Sequence, residues 1–263
     1  MEEALVDRAR AGDRAAMEGL LASVAPSIRR FAARMCRNEA DADDVLQDAL
    51  LSIATHLDSF EGRSSLPSWA FTIARTACSR RRRGMKNAPA EGEEALSTQA
   101  ADGPGPEDTA SSAETGELVS HALSRLPAEY REVLLLRDAE GLTAPEAAQV
   151  LGVSVDALKS RLHRARSALR ESLRPVLEAE TLPAAGTCPD VIRALSQKIE
   201  NDLDANACAD MEKHVGSCPA CAHACDAMKD ALRACRSSAS SALTPEIEEQ
   251  VRATITRWLQ TRL

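Results

Sequence analysis

Aromatic residues are scarce in this chain, at 2% of 263 residues. Sheets favour aromatic and β-branched side chains, so a chain dominated by Ala and Leu leans towards helices. It also lacks any uninterrupted apolar run approaching the roughly 20 residues that cross a bilayer, so no membrane partner is expected. The opening, Met1-Glu2-Glu3-Ala4, has no basic region leading into an apolar one, which argues against secretion and for a cytoplasmic protein. Neither a glycine-rich nucleotide loop nor a nucleophile–base arrangement stands out, so an enzyme is not expected. What is present, 44% hydrophobic and 27% charged residues, is a globular composition. The length suits roughly two domains with room for a small third.

The net charge of −8 argues at first against a nucleic-acid partner. A phosphate backbone, however, responds to local density rather than to the sum over a chain. Residues 84–116 carry seven acids and one base, and so account for most of the excess. Arg75 to Lys86 holds six bases and no acid, offering Arg75, Arg80 and Arg81 to phosphates. Lys159 to Arg174 holds six bases against Glu171 alone.

Helical spacing of apolar residues divides the chain into blocks, and an all-α fold follows. Residues 1–83 form the first. Ile28, Phe31, Ala32 and Met35 make a stripe, and Asp41 can cap a helix carrying Val45, Leu46, Ala49, Leu50 and Ile53. Trp69 shares a stripe with Ile73 and Ala77, and can either pack in the core or stack on an opened base. Cys36 and Cys78 read as small buried hydrophobes. Residues 84–116, rich in Ala, Gly, Pro, Ser and acid, read as a flexible linker. Residues 117–180 form a second helical block. Residues 181–263 hold six of the eight cysteines and end in an amphipathic helix with Ile247, Val251, Ile255, Trp258 and Leu259 on one face.

Within the second block, Leu142 to Lys159 has the spacing of a helix-turn-helix. Thr143 and Glu146 can form a capping box, Gly152 suits the turn, and Ser154 can cap the second helix. That helix offers Ser154, Lys159, Ser160, Arg161, Arg164 and Arg166, residues suited to guanine edges and phosphates in a major groove.

Leu126 to Arg137, the helix-turn-helix and Val155 to Arg166 together resemble region 4 of the extracytoplasmic-function sigma factors, which reads the −35 element. The first block resembles region 2 of the same family. Asp41 to Asp48 is similar to the helix that docks on core RNA polymerase, which implies polymerase contacts for Asp44, Gln47 and Asp48. Leu66 to Arg75 is similar to the part that opens and reads the −10 element of promoter DNA. The family usually places Asn after the Ile-Ala-Arg stretch, where this chain has Thr76.

In the last block, His214, Cys218 and Cys221 form an H-x3-C-x2-C cluster, with Cys188 26 residues before the histidine. Three thiolates and one imidazole complete a tetrahedral set, so Cys188, His214, Cys218 and Cys221 are candidate metal ligands. Cys208, His223, Cys225 and Cys235 are additional soft ligands. The set suits Zn²⁺ or Cd²⁺ better than copper, because Cu(I) is content with two or three sulfurs and no imidazole. The pattern resembles the zinc-binding anti-sigma domain, and a sigma factor carrying such a tail resembles the metal-responsive CorE-like group. That resemblance implies regulation in cis, with metal favouring the active arrangement. Two other readings stand beside it: a thiol redox sensor on the same sigma factor, and a metal-buffering protein whose helices serve only interaction.

Overall fold

The computed structural model of the chain describes residues 2–36, 38–86, 118–177, 188–237 and 244–261. The expected linker falls outside these from residue 87 onward. Among the described residues every regular element is helical, as the residue pattern predicts, and no helix is long and apolar enough to cross a membrane. The chain divides into two compact units.

The first unit contains α1 (Glu2–Arg10), α2 (Arg14–Met35), α3 (Glu39–Thr55) and α4 (Leu66–Lys86). Asp13 caps α2 by accepting the Ala16 N–H at 3.1 Å. Asn38, rather than Asp41, caps α3, accepting the Asp41 N–H at 2.7 Å. Asp41 itself lies in the first helical turn, nearly buried, where its carboxylate takes the Arg81 Nε at 2.8 Å. The stripes anticipated on α2 and α3 do meet in one core: Leu20, Leu21, Ile28, Leu46, Leu50 and Ile53 are fully buried. Phe31 and Phe71 pack edge to face, with ring centroids 5.7 Å apart, joining α4 to α2.

A fifth helix completes this unit, and it comes from the far end of the chain. The C-terminal helix (Pro245–Thr261) packs on α2 and α3, burying Ile247, Val251, Ile255 and Trp258. The reading of 181–263 as one regulatory segment therefore divides in space. Residues to 237 fold in the second unit, whereas this helix lies in the first. An apolar stripe fixes that a helix must be covered, but not what covers it.

Next along the chain come α5 (118–125), α6 (Ala128–Leu134), α7 (Ala144–Leu151) and α8 (Val155–Leu177), which belong to the second unit except for Gln149–Gly152. Between α6 and α7 the backbone widens into a π-turn over Leu135–Ala139. The capping box of α7 forms: Thr143 N–H and Oγ1 both donate to Glu146 Oε2, at 2.9 and 2.7 Å. Gly152 turns the chain at φ +67°, a left-handed conformation that costs glycine little, and Ser154 Oγ accepts the Ala157 N–H at 3.2 Å to start α8. Three further helices, α9 (Val191–Ile199), α10 (Ala205–Ser217) and α11 (Pro219–Ser237), pack against one another, and α9 and α11 also pack on α8. In chain order the C-terminal helix is α12.

Candidate nucleic-acid interface and metal centre

Leu158, Leu162, Ala165, Leu169 and Leu173 line the fully buried face of α8. The polar face begins with Ser154, exposed at the cap, and continues through exposed Ser160 and Arg164 and half-buried Arg161. Lys159 is also half-buried, and its ammonium meets Asp202, just beyond α9, at 2.6 Å. His163, one turn on, approaches Asp190 at 3.9 Å.

Arg166 departs from the expected DNA-facing set. It is wholly buried: its guanidinium grips Asp138 with two bonds, at 3.0 and 2.6 Å. It also reaches Glu200 at 2.9 Å and Ser196 Oγ at 2.8 Å. Burial alone would disfavour the charge, but Asp138 and Glu200 outweigh it and raise the guanidinium pKa above its ordinary value. A side chain held in this way cannot reach a base or phosphate from this position. Its charge belongs to a buried network that Arg137 completes by bonding Glu200 at 2.5 Å. The π-turn helps to build the network, because its extra residue changes the phase at which Asp138, itself buried, faces α8.

The partners from the cysteine-rich segment, Asp190, Ser196, Glu200 and Asp202, were not among the candidate residues. The available signal was a charge match between the acidic run Glu200 to Asp204 and the basic α8.

In the first unit, Asp44 and Asp48 are exposed on α3 and Gln47 is half-buried. Arg81 pairs with Asp44 as well as with Asp41, tying α4 to the start of α3. Trp69 is half-buried against Phe60, with ring centroids 5.3 Å apart. Arg75 is half-buried and Arg80 exposed. A groove of about 990 Å³ runs between α3 and α4, lined by Asp41, Asp48, Leu51, Ile73, Thr76 and Arg80 among others. The Thr76 hydroxyl donates to the Thr72 carbonyl at 2.8 Å.

The metal-ligating candidates converge. The donor atoms of Cys188, His214, Cys218 and Cys221 all lie within 4.8 Å of one another. Cys188 and Cys218 sulfurs are 3.9 Å apart, and His214 Nε2 lies 3.2 Å from Cys221 Sγ. A tetrahedron with bonds of about 2.3 Å has sulfur–sulfur edges of roughly 3.8 Å, so these donors fit an ion of that kind. The helices explain the convergence. Cys218 ends α10, its N–H donating to the His214 carbonyl at 2.9 Å, and Cys221 lies in the first turn of α11. The Cys221 backbone N–H at that helix start holds the Cys218 thiol below its usual pKa, whereas burial pushes Cys221 up to about 12.

The four additional soft ligands are not part of this group. Cys208 is half-buried beside Glu212, His223 is exposed, and Cys225 and Cys235 are buried. Cys225 and Cys235 face inward on α11, so joining the quartet requires repacking.

Comparison with known families and proteins bears on both units. The family described as Sigma-70 region 2 matches residues 20–87, that described as Sigma-70, region 4 matches residues 116–169, and a zinc-finger family matches residues 188–222. The ECF RNA polymerase sigma factor EcfG of Rhodopseudomonas palustris is 38% identical over 156 residues, covering 58% of this chain and 81% of that protein. The ECF RNA polymerase sigma factor SigM of Mycobacterium tuberculosis is 35% identical over 163 residues, covering 62% and 80%. The solved structure of CnrH in complex with the cytosolic domain of CnrY superposes with a TM-score of 0.51 at 26% identity, covering 66% of this chain and 98% of that one.

Proposed function

Because the chain belongs to the extracytoplasmic-function family of sigma factors, which direct RNA polymerase to promoters, we propose that its cysteine-rich segment controls in cis how region 4 meets DNA. In this reading Ser154, Lys159, Ser160, Arg161 and Arg164 of α8 contact the −35 element. Trp69, Arg75, Arg80 and Arg81 serve the −10 element, and Asp44, Gln47 and Asp48 serve polymerase docking. Arg166 holds α8 in place rather than touching DNA.

The observation that carries the regulatory part is the set of ion pairs from Asp202 and Glu200 to Lys159, Arg137 and Arg166. Carboxylates there occupy a basic surface that phosphates would otherwise neutralise, so DNA and the segment compete for Lys159. Cys188, His214, Cys218 and Cys221 would hold zinc or cadmium, and the bound ion would cross-link the segment before α9 to α10 and α11, supplying folding free energy.

A ligand shifts an arrangement only through different affinity for the alternatives. Cys225 and Cys235 are buried here, so a large soft ion such as cadmium gains their thiols only in a repacked segment. Repacking α11 disturbs its contact with α8, and metal then favours the arrangement in which α8 is free. Transcription by the purified chain with core polymerase, with added zinc, cadmium or copper ions, tests this for wild type and Cys218→Ala. Stimulation by cadmium beyond any effect of zinc, lost in Cys218→Ala, is the expected result. Metal-independent activity of the wild type would reduce the quartet to a structural site, and a response to copper alone would overturn the choice of ion.

A further inference from the structure

His163 belongs to neither the DNA-facing set nor the metal ligands. Its neighbours one turn away on α8 both hold the far end of α9: Lys159 pairs with Asp202 at 2.6 Å and Arg166 with Glu200 at 2.9 Å. His163 shares their side of the helix and meets the near end of α9, where its Nε2 lies 3.9 Å from Asp190 Oδ2. The ring is 26% exposed, and its Nδ1 is buried without a hydrogen-bond partner. A leucine would fill such a place without stranding a polar atom, so packing alone does not account for a histidine.

Asp190 is joined stiffly to the metal centre. It caps α9, its Oδ1 accepting the Arg193 N–H at 3.0 Å. Cys188, one of the quartet, stands two residues before it, with only Pro189 between them. The proline ring fixes its own φ. The Val191 N–H donates to the Pro189 carbonyl at 2.8 Å, and Asp190 has φ −71° and ψ 77°, which together make an inverse γ-turn. A proline followed by a closed three-residue turn leaves little slack between the Cys188 sulfur and the Asp190 carboxylate. An ion held by Cys188, His214, Cys218 and Cys221 would therefore fix the carboxylate as well as the sulfur.

We propose that His163 is a positioning residue that couples occupation of the metal centre to α8, by engaging Asp190 when an ion holds Cys188. The two groups stand just beyond hydrogen-bond distance, so a shift of roughly 1 Å at the start of α9 makes or breaks the bond. Filling the metal centre thus changes the grip of α9 on α8 beside Arg164 and one turn from Lys159. Coupling of this kind is reciprocal: loss of the His163 contact weakens metal binding, although His163 supplies no ligand. The inference rests on the quartet holding an ion, and not on any effect of that ion on transcription.

The test is a double-mutant cycle read as the zinc affinity of the full chain, measured by competition with a chromophoric chelator. Asp190→Asn keeps a side chain that caps α9 but removes the carboxylate, and His163→Gln removes the ring. Each single variant should bind zinc up to about fivefold more weakly, as for the loss of a partly exposed pair, and the double variant should be no weaker than either. A histidine that merely packs would lower the stability of the second unit and leave the effect of Asp190→Asn unchanged. Wild-type zinc affinity in His163→Gln, or losses that multiply in the double variant, would overturn the proposal. Should His163→Gln fail to fold, His163→Asn closes the same cycle. A wild type without zinc binding that Cys218→Ala abolishes would remove the quartet reading, and the proposal with it.

Discussion

The interior of the first unit and that of the cysteine-rich helices are built on different terms. Phe31, Met17, Leu20, Ile28, Leu46 and Leu50 are each fully buried in the first, and each such side chain contributes about 1.5–3 kcal/mol by leaving water. The core of α9 to α11 is smaller: Val191, Ile192, Leu195, Met211, Met228 and Leu232, with Cys221, Cys225 and Ala224 filling the rest. Its other connections include carboxylates paired with bases of α8 and a set of three thiols and an imidazole that fits an ion. One assembly stands on apolar area, while the other depends on partners that can be removed. The proposed control of region 4 by this segment rests on that difference.

Stripping the metal should break that contrast most sharply. Structural zinc supplies on the order of 10–16 kcal/mol to small domains that fold around it. Chelation of the zinc-loaded chain should therefore melt α9 to α11 while the first unit keeps its thermal transition. Calorimetry with and without chelator measures this, and an unchanged profile would mean that the small core suffices by itself.

Arg166→Ala comes next in size. It leaves Asp138 and Glu200 buried without their shared cation, a loss of about 3–5 kcal/mol in the second unit. Arg166→Met should cost less than Arg166→Ala, since it keeps the packing. Urea unfolding followed at Tyr130, in the second unit, reads both variants; a cost below that of an exposed pair would show the network to be dispensable.

The smallest effect on stability should come from Asp202→Ala. Its pair with Lys159 is about one-third exposed on each side, and such pairs contribute roughly 0–1 kcal/mol. The same change should nevertheless tighten binding to promoter DNA by freeing Lys159, and should steepen the salt dependence by about one phosphate contact. Equal affinity and slope for wild type and variant across a salt titration would remove Asp202 from the competition with DNA.

How much of this was legible in the sequence follows from where each decision is made. Helix starts and apolar stripes are local, so the capping box at Thr143 and the core faces of α2, α3 and α8 could be read in order along the chain. The quartet was legible for a similar reason: His214, Cys218 and Cys221 lie within two turns of one another, and only Cys188 comes from outside. Arg166 was not legible, because an arginine amid other bases looks solvated until Asp138 arrives from a π-turn with no plain sequence mark. Asp41 looked like a cap because its carboxylate could accept a backbone N–H, yet Asn38 takes that role and Arg81 claims the carboxylate.

The seat of α12 on α2 and α3 changes the topology of the whole chain. The polypeptide leaves α4, builds α5 to α11, and returns with α12 to finish the first unit. Region 4 and the cysteine-rich helices thus stand, in chain order, between the helices that begin the first unit and the one that completes it. A single proteolytic nick between α4 and α5 would not part the two promoter-reading regions, because α12 and the backbone leading to it would still hold them as one molecule. Opening that loop takes a second event, either a cut before α12 or its release from α2 and α3.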